Sequence, residues 1–473
     1  MNGDIDFDQV LVNIADYVEN YEVSSAAAYD MARYCLLDSL GCALEALEYP
    51  QCTKLLGLPM GGVSGSLGAR VPGTSFQLDV PSAAFNIGCL VRWLDFNDTW
   101  VATQTCHPSD DVGPILAVAD HLSRLNVSAG RSPVLIKTVL EYMIKAHEIQ
   151  GVLGMENPLS SHGLDHALFL KVAASATVTG LLGGKRREIE NAVSLAFFEP
   201  SLALHRYGSN TGPRKGWACA EAGSRAIHYA NMAISGEPGY PQVLTHPKWG
   251  FNHVYFGDVP FQNTLPFGEL VMTNVLFKIQ CPVVIHAQSA IECAIQMHSH
   301  VRSRIDDISR IELHSHQRTK IIDKQGPLRN AADRDHCLQY AVAIALLHGR
   351  LTAADYEDDV AADKRIDQLR ELMTLSERPH YTQAYSDQSL RQNPNAIQVF
   401  FKDGANTPEI EVLQPIGHPS RRQEGIPALI GKFRHNVARR YPPQKTDAII
   451  NRCLDHDLFL DTPVHEFMDE LAV

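Results

Sequence analysis

The features this chain lacks narrow its class first. No stretch of its 473 residues approaches the ~18 consecutive apolar residues that a membrane span requires. The run Ala341 to Leu347, among the longest candidates, is closed by His348 and Arg350. Met1 to Val10 carries three aspartates and neither lysine nor arginine, unlike a secretory leader or an arginine-rich transit peptide, so the expected location is the cytoplasm. None of the ten cysteines belongs to a C-x-x-C pair, which argues against zinc ribbons, thioredoxin-like motifs and the usual iron–sulfur spacings. Positive charge is in deficit, 41 basic against 54 acidic residues for a net charge of −13. That field repels nucleic acid and anionic membranes, so an anionic substrate has to be caught by a few local cations. There is no P-loop, no internal repeat and no low-complexity linker.

Hydrophobic residues make up 45% and charged residues 20%, the balance of a folded chain with a sizeable core. At ~150 residues per domain the length predicts two or three domains, and we read two. Val10, Ile14, Tyr17, Val18 and Tyr21 form the stripe of an amphipathic helix. Ser24 or Ser25 suits the cap of the next helix. Alanine-rich stretches at 137–150, 164–182, 186–198 and 217–234 continue the pattern, with Gly183-Gly184 as a stop and close helix crossings expected where alanine meets glycine.

Near residue 274 the texture changes. A short helix is expected near 284–298. Ile308 to His316 alternates apolar with polar residues, and Ile397 to Leu413 does so again around Asp403-Gly404. With helices at 334–348 and 360–373 between them, these strands make an α+β unit. Ile426, Leu429, Ile430, Phe433 and Val437 then mark a returning helix. The expected fold is mainly α: a large helical domain built from 1–273 and 418–473, with a smaller α+β lid, 274–417, inserted between them.

Four places combine titratable groups with a glycine, a proline or a helix end. Asp95 to Trp100 leads to His107-Pro108-Ser109-Asp110, where a buried aspartate can raise the basicity of an imidazole; Asp98 and Asp110 equally suit helix caps. His162 to His166 precedes an apolar helix, a position that a surface or capping histidine also occupies. Asn210 to Trp217 delivers Arg214 and Lys215 to a helix start, where an anion is favoured, though a solvated pair has the same pattern. Lys278 stands in the apolar run Phe277 to Pro282, with His286 further on; a lysine buried there requires a negative partner, protein or ligand. His298/His300 and His314/His316 lack an accompanying carboxylate cluster and are not read as metal ligands. The glycine-rich stretch Gly61 to Gly68 is read as a loop.

With those groups in view, the chain resembles the MmgE/PrpD family. The matching runs include Tyr34 to Gly41, Arg92 to Trp100, His107 to Asp110, Gly163 to His166, Asn210 to Gly212 with Arg214-Lys215, Val275 to Lys278, Asp333 to Cys337, Gly349 to Asp358 and Pro415 to His418. The resemblance implies a homodimer, with a site between the two domains that uses no metal, cluster or other cofactor. Carried over residue by residue, that site comprises Asp95, Thr99, His107, His166, Lys215, Lys278 and Tyr340, and we add Arg214 and His286 as substrate contacts.

The implied activity is loss of water from a tricarboxylate, 2-methylcitrate or a longer 2-alkylcitrate, in propionate breakdown or secondary metabolism. Decarboxylation of cis-aconitate to itaconate uses a closely similar residue set, and a non-catalytic tricarboxylate-binding relative is the reading from a different class. In the dehydration reading His107 or His166 takes the C–H proton, Asp95 holds an imidazole in one tautomer, Thr99 and Tyr340 position the substrate, and Tyr340 serves equally well as the acid. The chain departs from the family pattern at 101–106, 158–162, 204–209 and 279–285, which leaves the alkyl length open.

Overall fold

Gln9–Asn20 forms a helix that buries Val10, Ile14, Tyr17 and Val18 of the expected stripe, with Leu11 beside them, while Tyr21 falls just past its end and is half-buried. Ser25 caps Ala26–Ala46, its side chain accepting from the Ala28 N–H. The structure is a computed structural model that describes residues 6–57, 67–207 and 211–473. Met1 to Ile5, Gly61 to Ser66 of the glycine-rich stretch, and Asn210 lie outside the described residues. Helices Ile136–Glu156, Ala167–Leu181, Arg186–Ala196 and Ala218–Ile234 follow the alanine-rich stretches. The stop after the second falls on Gly183, whose φ of +91° suits a residue without Cβ. No helix among the described residues is long and apolar enough to cross a membrane.

The close crossings are where small residues predict them. A Cβ on Gly113 of Val112–Ser128 would stand 2.7 Å from the Ala84 carbonyl oxygen, so the glycine lets that helix lie on Val80–Arg92 and fixes where Arg92 ends up. The carboxy-terminal helix Arg422–Arg440 returns to pack on Ala26–Ala46.

Among the described residues, six strands form two sheets. β1 (Ala69–Arg70) and β2 (Gln77–Leu78) make a small antiparallel pair. β3 (Ile308–Ser315), β4 (Met373–Glu377), β5 (Asn395–Phe401) and β6 (Ile410–Val412) form the second sheet in the order β4-β3-β5-β6. β3 pairs parallel with β4 from Ile311↔Met373 to Ser315↔Glu377 and antiparallel with β5. A parallel pair needs a crossover, and the chain between β3 and β4 supplies it with Leu338–His348 and Lys364–Glu371. The sequence reading ran its second helix on to residue 373 and so missed β4. With 59% helix against 8% strand, the mainly α expectation holds.

Two hydrophobic clusters account for most of the interior. The larger runs from Phe7 to Ile279 and takes in Leu429 to Leu471 of the carboxy terminus. The smaller runs from Cys281 to Val412. Lys278 stands where the chain leaves one for the other.

Candidate active site

Helix Val80–Arg92 ends just before the turn that carries Asp95. Asp95 adopts φ +51°, a left-handed conformation that aspartate tolerates better than most residues but still at a cost of ~1–3 kcal/mol. The turn directs the carboxylate back toward its own helix, where Arg92 Nη1 donates to Oδ1 at 2.6 Å.

Four residues on, Thr99 exchanges backbone hydrogen bonds with Leu276, 2.8 and 2.9 Å, and this short ladder lays the 276–278 segment alongside. Lys278, fully buried, donates to Asp95 Oδ1 at 2.5 Å and to the Asp95 carbonyl at 2.9 Å. The segment is tied from behind as well. Phe277 N–H donates to the Gly417 carbonyl, and a Cβ on Gly417 would lie 1.8 Å from the Phe277 oxygen, so the contact admits only glycine. Lys432 of the returning helix donates to Asp38, to the Phe96 carbonyl and to the Lys278 carbonyl at 2.7, 2.8 and 2.8 Å.

Lys215 reaches the same carboxylate from the turn Pro213–Gly216. Its Nζ lies 3.6 Å from Asp95 Oδ2 and 2.5 Å from Asp335 Oδ2. The other Asp335 oxygen accepts from His336 Nδ1 at 2.5 Å, and His336 Nε2 is 3.6 Å from Asp95 Oδ2. His107 donates through Nδ1 to the Asp98 carbonyl at 2.8 Å, with Thr99 Oγ1 3.2 Å from the same nitrogen, and turns Nε2 toward Asp95 Oδ1 at 3.9 Å. His166 stacks obliquely beside His107, ring centres 5.5 Å apart. Behind His166, Asp165 is held by Arg206 and His205.

These neighbours set the protonation states. Burial pushes the Asp95 carboxyl up, but Arg92, Lys278 and Lys215 together overcome it and hold it well below the usual carboxylate range. Burial pushes the Lys278 ammonium down to about 8 against the pull of Asp95. Burial also takes His107 well below the ordinary histidine value and His166 down to about 3, so both rings are neutral near pH 7. His336 is lowered by burial and by Lys215, with Asp335 pulling the other way. A cavity of about 320 Å³ reaches this array, lined by Lys215 and Asp335 with Tyr49, Trp93, Arg334 and Tyr356.

The structure therefore gathers Asp95, Thr99, His107, His166, Lys215 and Lys278, and leaves three expected members elsewhere. Tyr340 donates its hydroxyl to the Asp355 carbonyl at 2.7 Å and lines a different cavity with Arg370. Arg214 points away from Lys215, pairs with Glu221 at 2.6 Å and covers the Trp217 ring. His286 is buried beside Tyr385 and His316, its Nδ1 3.4 Å from the Tyr385 hydroxyl. Asp95 also differs from its expected part. The Asp98 carbonyl, not Asp95, sets the His107 tautomer, while Asp95 anchors the cations.

Donor atoms for a metal converge at Asp95, Asp335 and His336, but each of those carboxylates already faces an ammonium group. A second convergence, Asp110, His166 and Cys219, has its carboxyl pushed up to about 6 and its thiol well above the ordinary value by burial, a poor set for a cation. The His298/His300 and His314/His316 pairs diverge: His298 bonds the Leu346 carbonyl, His314 bonds Ser376 and His316 bonds Asn393.

Comparison with known proteins matches the MmgE/PrpD N-terminal domain over residues 12–264 and the MmgE/PrpD C-terminal domain over residues 281–456. The 2-methylcitrate dehydratase of Escherichia coli (strain K12) is 52% identical over 469 residues, 98% of this chain and 97% of the relative. That of Cupriavidus necator is 52% identical over 473 residues, 99% and 98%. A mitochondrial 2-methylcitrate dehydratase of Yarrowia lipolytica is 46% identical over 449 residues, 94% and 86%. The chain belongs to the MmgE/PrpD family.

Within this MmgE/PrpD chain, reading the sequence placed Arg92, Asp165, Asp335 and His336 in family-matching runs but did not single them, or Arg206, out as site residues. Arg92 is 1% exposed and bound to Asp95. It reads in sequence as an ordinary basic residue closing a helix. Asp335-His336 sits in the charged run Asp333 to His336, which looks like a solvated helix start. A pair formed by neighbours, next to a lysine-bearing loop from elsewhere in the chain, leaves no local signal beyond the adjacency of an aspartate and a histidine.

Proposed function

We propose that this MmgE/PrpD chain dehydrates 2-methylcitrate to 2-methyl-cis-aconitate and water. The observation that carries this reading is the convergence of two ammonium groups, Lys215 and Lys278, on one carboxylate that also lies within 4 Å of two imidazoles, His107 and His336, with His166 beside the first. The relatives at 52% identity support the 2-methyl substrate over a longer alkylcitrate.

Dehydration removes a proton from carbon next to a carboxylate, breaks the bond to the tertiary hydroxyl, forms C=C and releases the hydroxyl as water. Removing the proton adds charge to a group that is already anionic. One unit-charge contact at 4 Å is worth ~4 kcal/mol at an effective dielectric of 20, so Lys215 and Lys278 address the costly step directly. Among the imidazoles, His336 is best equipped as base. Its Nδ1–H already donates to the Asp335 carboxylate, which stabilises the imidazolium that forms when Nε2 accepts a proton. His107 and His166 form the neutral wall beside it. Lys278, lowered to about 8, is a suitably matched acid for the departing hydroxyl.

We further propose that 274–417 acts as a lid over the helical body made by 1–273 and 418–473. The change of hydrophobic cluster between Ile279 and Cys281 supports this division. We propose also that the enzyme works as a cytoplasmic homodimer, which sedimentation of the purified protein checks.

One panel tests the function: purified protein against 2-methylcitrate, a longer 2-alkylcitrate, citrate and cis-aconitate. Formation of the unsaturated tricarboxylate from 2-methylcitrate is expected. Release of carbon dioxide from cis-aconitate would establish the decarboxylase instead, and binding without turnover of any of them would establish a non-catalytic relative.

A further inference from the structure

Against the loop that joins Thr99 to His107 lies a further cavity, about 180 Å³, between residues 101–103 and the segment that includes Thr382, Tyr385 and Arg391. Arg391 forms part of its wall and is 9% exposed. Its guanidinium lies over the Trp100 ring at 4.0 Å. Its Nε–H has no acceptor, and Nη2 reaches only Met155 Sδ at 4.0 Å. Among the described residues no carboxylate lies within ion-pair distance of it; Glu148 pulls on it from farther off, but that carboxylate is engaged by the Gly268 and Val271 N–H groups, and burial outweighs its pull and lowers the guanidinium.

Burying a guanidinium with no carboxylate in contact is costly, and a fold that does so either relaxes or holds the place for an anion. The rest of the cavity favours the second explanation. Arg318 lines it too, anchored by donation to the Thr103 carbonyl at 3.1 Å. The remaining polar lining is hydroxyl and amide, including Ser386, Thr382 and Gln388, with no carboxylate. Glu377, which accepts from Thr382 of the lining, is already paired with Lys320 at 2.7 Å. In a chain of net charge −13, a cavity with two guanidinium groups and no acid among its described lining residues is a local reversal of the protein's field.

We propose that this cavity is an anion site separate from the Asp95 centre, taking a small oxyanion, a dicarboxylate or phosphate, with Arg391 as its principal partner and Arg318 at the rim. The planar fork of Arg391, held flat on Trp100, suits two-point recognition of a carboxylate or phosphate. An anion seated there ties the 382–391 segment to the loop carrying Thr99 and His107.

Calorimetric titration of the intact protein with malonate and, separately, with inorganic phosphate tests the site. Two variants locate it: Arg391→Gln, which removes the charge, and Ser386→Glu, which places a competing carboxylate on an exposed part of the wall. Wild-type protein is expected to bind at least one of the two probes, and each variant to bind it at least about ten-fold more weakly, the loss expected for a charge-assisted contact. Tighter binding of malonate assigns the site to carboxylates, tighter binding of phosphate to phosphates. Turnover of 2-methylcitrate by Arg391→Gln should stay within about two-fold of wild type, since Arg391 touches none of the groups around Asp95, so loss of the anion site and failure of the dehydratase reading are told apart. No binding of either probe to wild type, or wild-type affinity in folded Arg391→Gln, overturns the proposal. Should Arg391→Gln not fold, wild-type affinity in Ser386→Glu overturns it.

Discussion

Lys215 and Lys278 approach the Asp95 carboxylate from its two oxygens, the first with Nζ 3.6 Å from Oδ2 and the second with Nζ 2.5 Å from Oδ1. They come from a turn in the helical part and from the segment between the two hydrophobic clusters. Replacing either by Met should lower kcat by about 10²–10³, the usual loss when a preorganised donor is removed. Lys278→Met should also destabilise the fold by roughly 3–5 kcal/mol, because it strips a buried carboxylate of its shortest contact. Lys215→Met should cost less, since Arg92 and Lys278 still hold Asp95. Steady-state rates with urea melts check both, and near-wild-type turnover in either folded variant sinks the electrostatic role.

The same pair predicts an alkaline limit. Burial lowers the Lys278 ammonium to about 8 against an ordinary 10.5. The cationic form needed for catalysis is complete below that value and is lost as pH rises through it, so kcat should fall above about pH 8. Stability moves the other way: between about 8 and 10.5 the unfolded chain holds this proton and the folded one does not, so this group makes folding more favourable as pH rises. A kcat that falls while the urea midpoint holds or rises would identify the limb with Lys278. A flat kcat through pH 10 would exclude it.

His336 and the His107/His166 pair are separated by proton exchange. In deuterated solvent, the base returns solvent deuterium to the substrate carbon whenever the reaction reverses before water is lost. His336→Asn should abolish that exchange and lower kcat by roughly 10²–10⁴. Asp335→Asn should lower kcat less and shift the acid limb of the profile, since it acts through the imidazole. Persistent exchange in His336→Asn together with its loss in His107→Asn would move the base to His107.

Much of this site was legible in the chain because its cations stand in unusual company. A lysine among Phe277, Ile279 and Cys281 is out of place on a solvated face, and Lys215 follows a glycine and a proline at a helix start. Helices were legible for the same reason, through the spacing of Val10, Ile14 and Tyr17 or the glycine at 183. Contacts that form only in three dimensions were not. Asp95 looks in sequence like a partner for histidine because both lie in one loop, yet its left-handed turn brings it closest to Arg92 and Lys278, with His107 farther off at 3.9 Å. Tyr340 sits on a helix whose neighbours point into the smaller cluster, and sequence does not say that its hydroxyl reaches the Asp355 carbonyl. β4 was missed because Met373 to Glu377 follows a helical pattern directly, and only pairing with β3 makes it a strand.

The buried imidazoles make an acid-lability prediction whose sign is fixed by their direction. His166 is lowered from 6.5 to about 3 by burial, so between those values the unfolded chain binds a proton that the folded one refuses. Its contribution to stability is present above about pH 6.5 and is lost as pH falls, by up to about 1.4 kcal/mol per pH unit. Buried aspartates oppose it. Asp38, Asp110 and Asp120 are each raised by burial to about 6 from 3.8, so they bind protons more readily when folded and add stability as pH falls from 6 toward 3.8. The wild-type curve sums both effects, and the comparison that isolates the imidazole is His166→Gln. Urea midpoints measured at about pH 7, 6 and 5 should fall more steeply for wild type than for the variant. Parallel curves would mean that His166 is as open to protons in the folded protein as in the unfolded chain, which its position between His107, Asp165 and Cys219 does not allow.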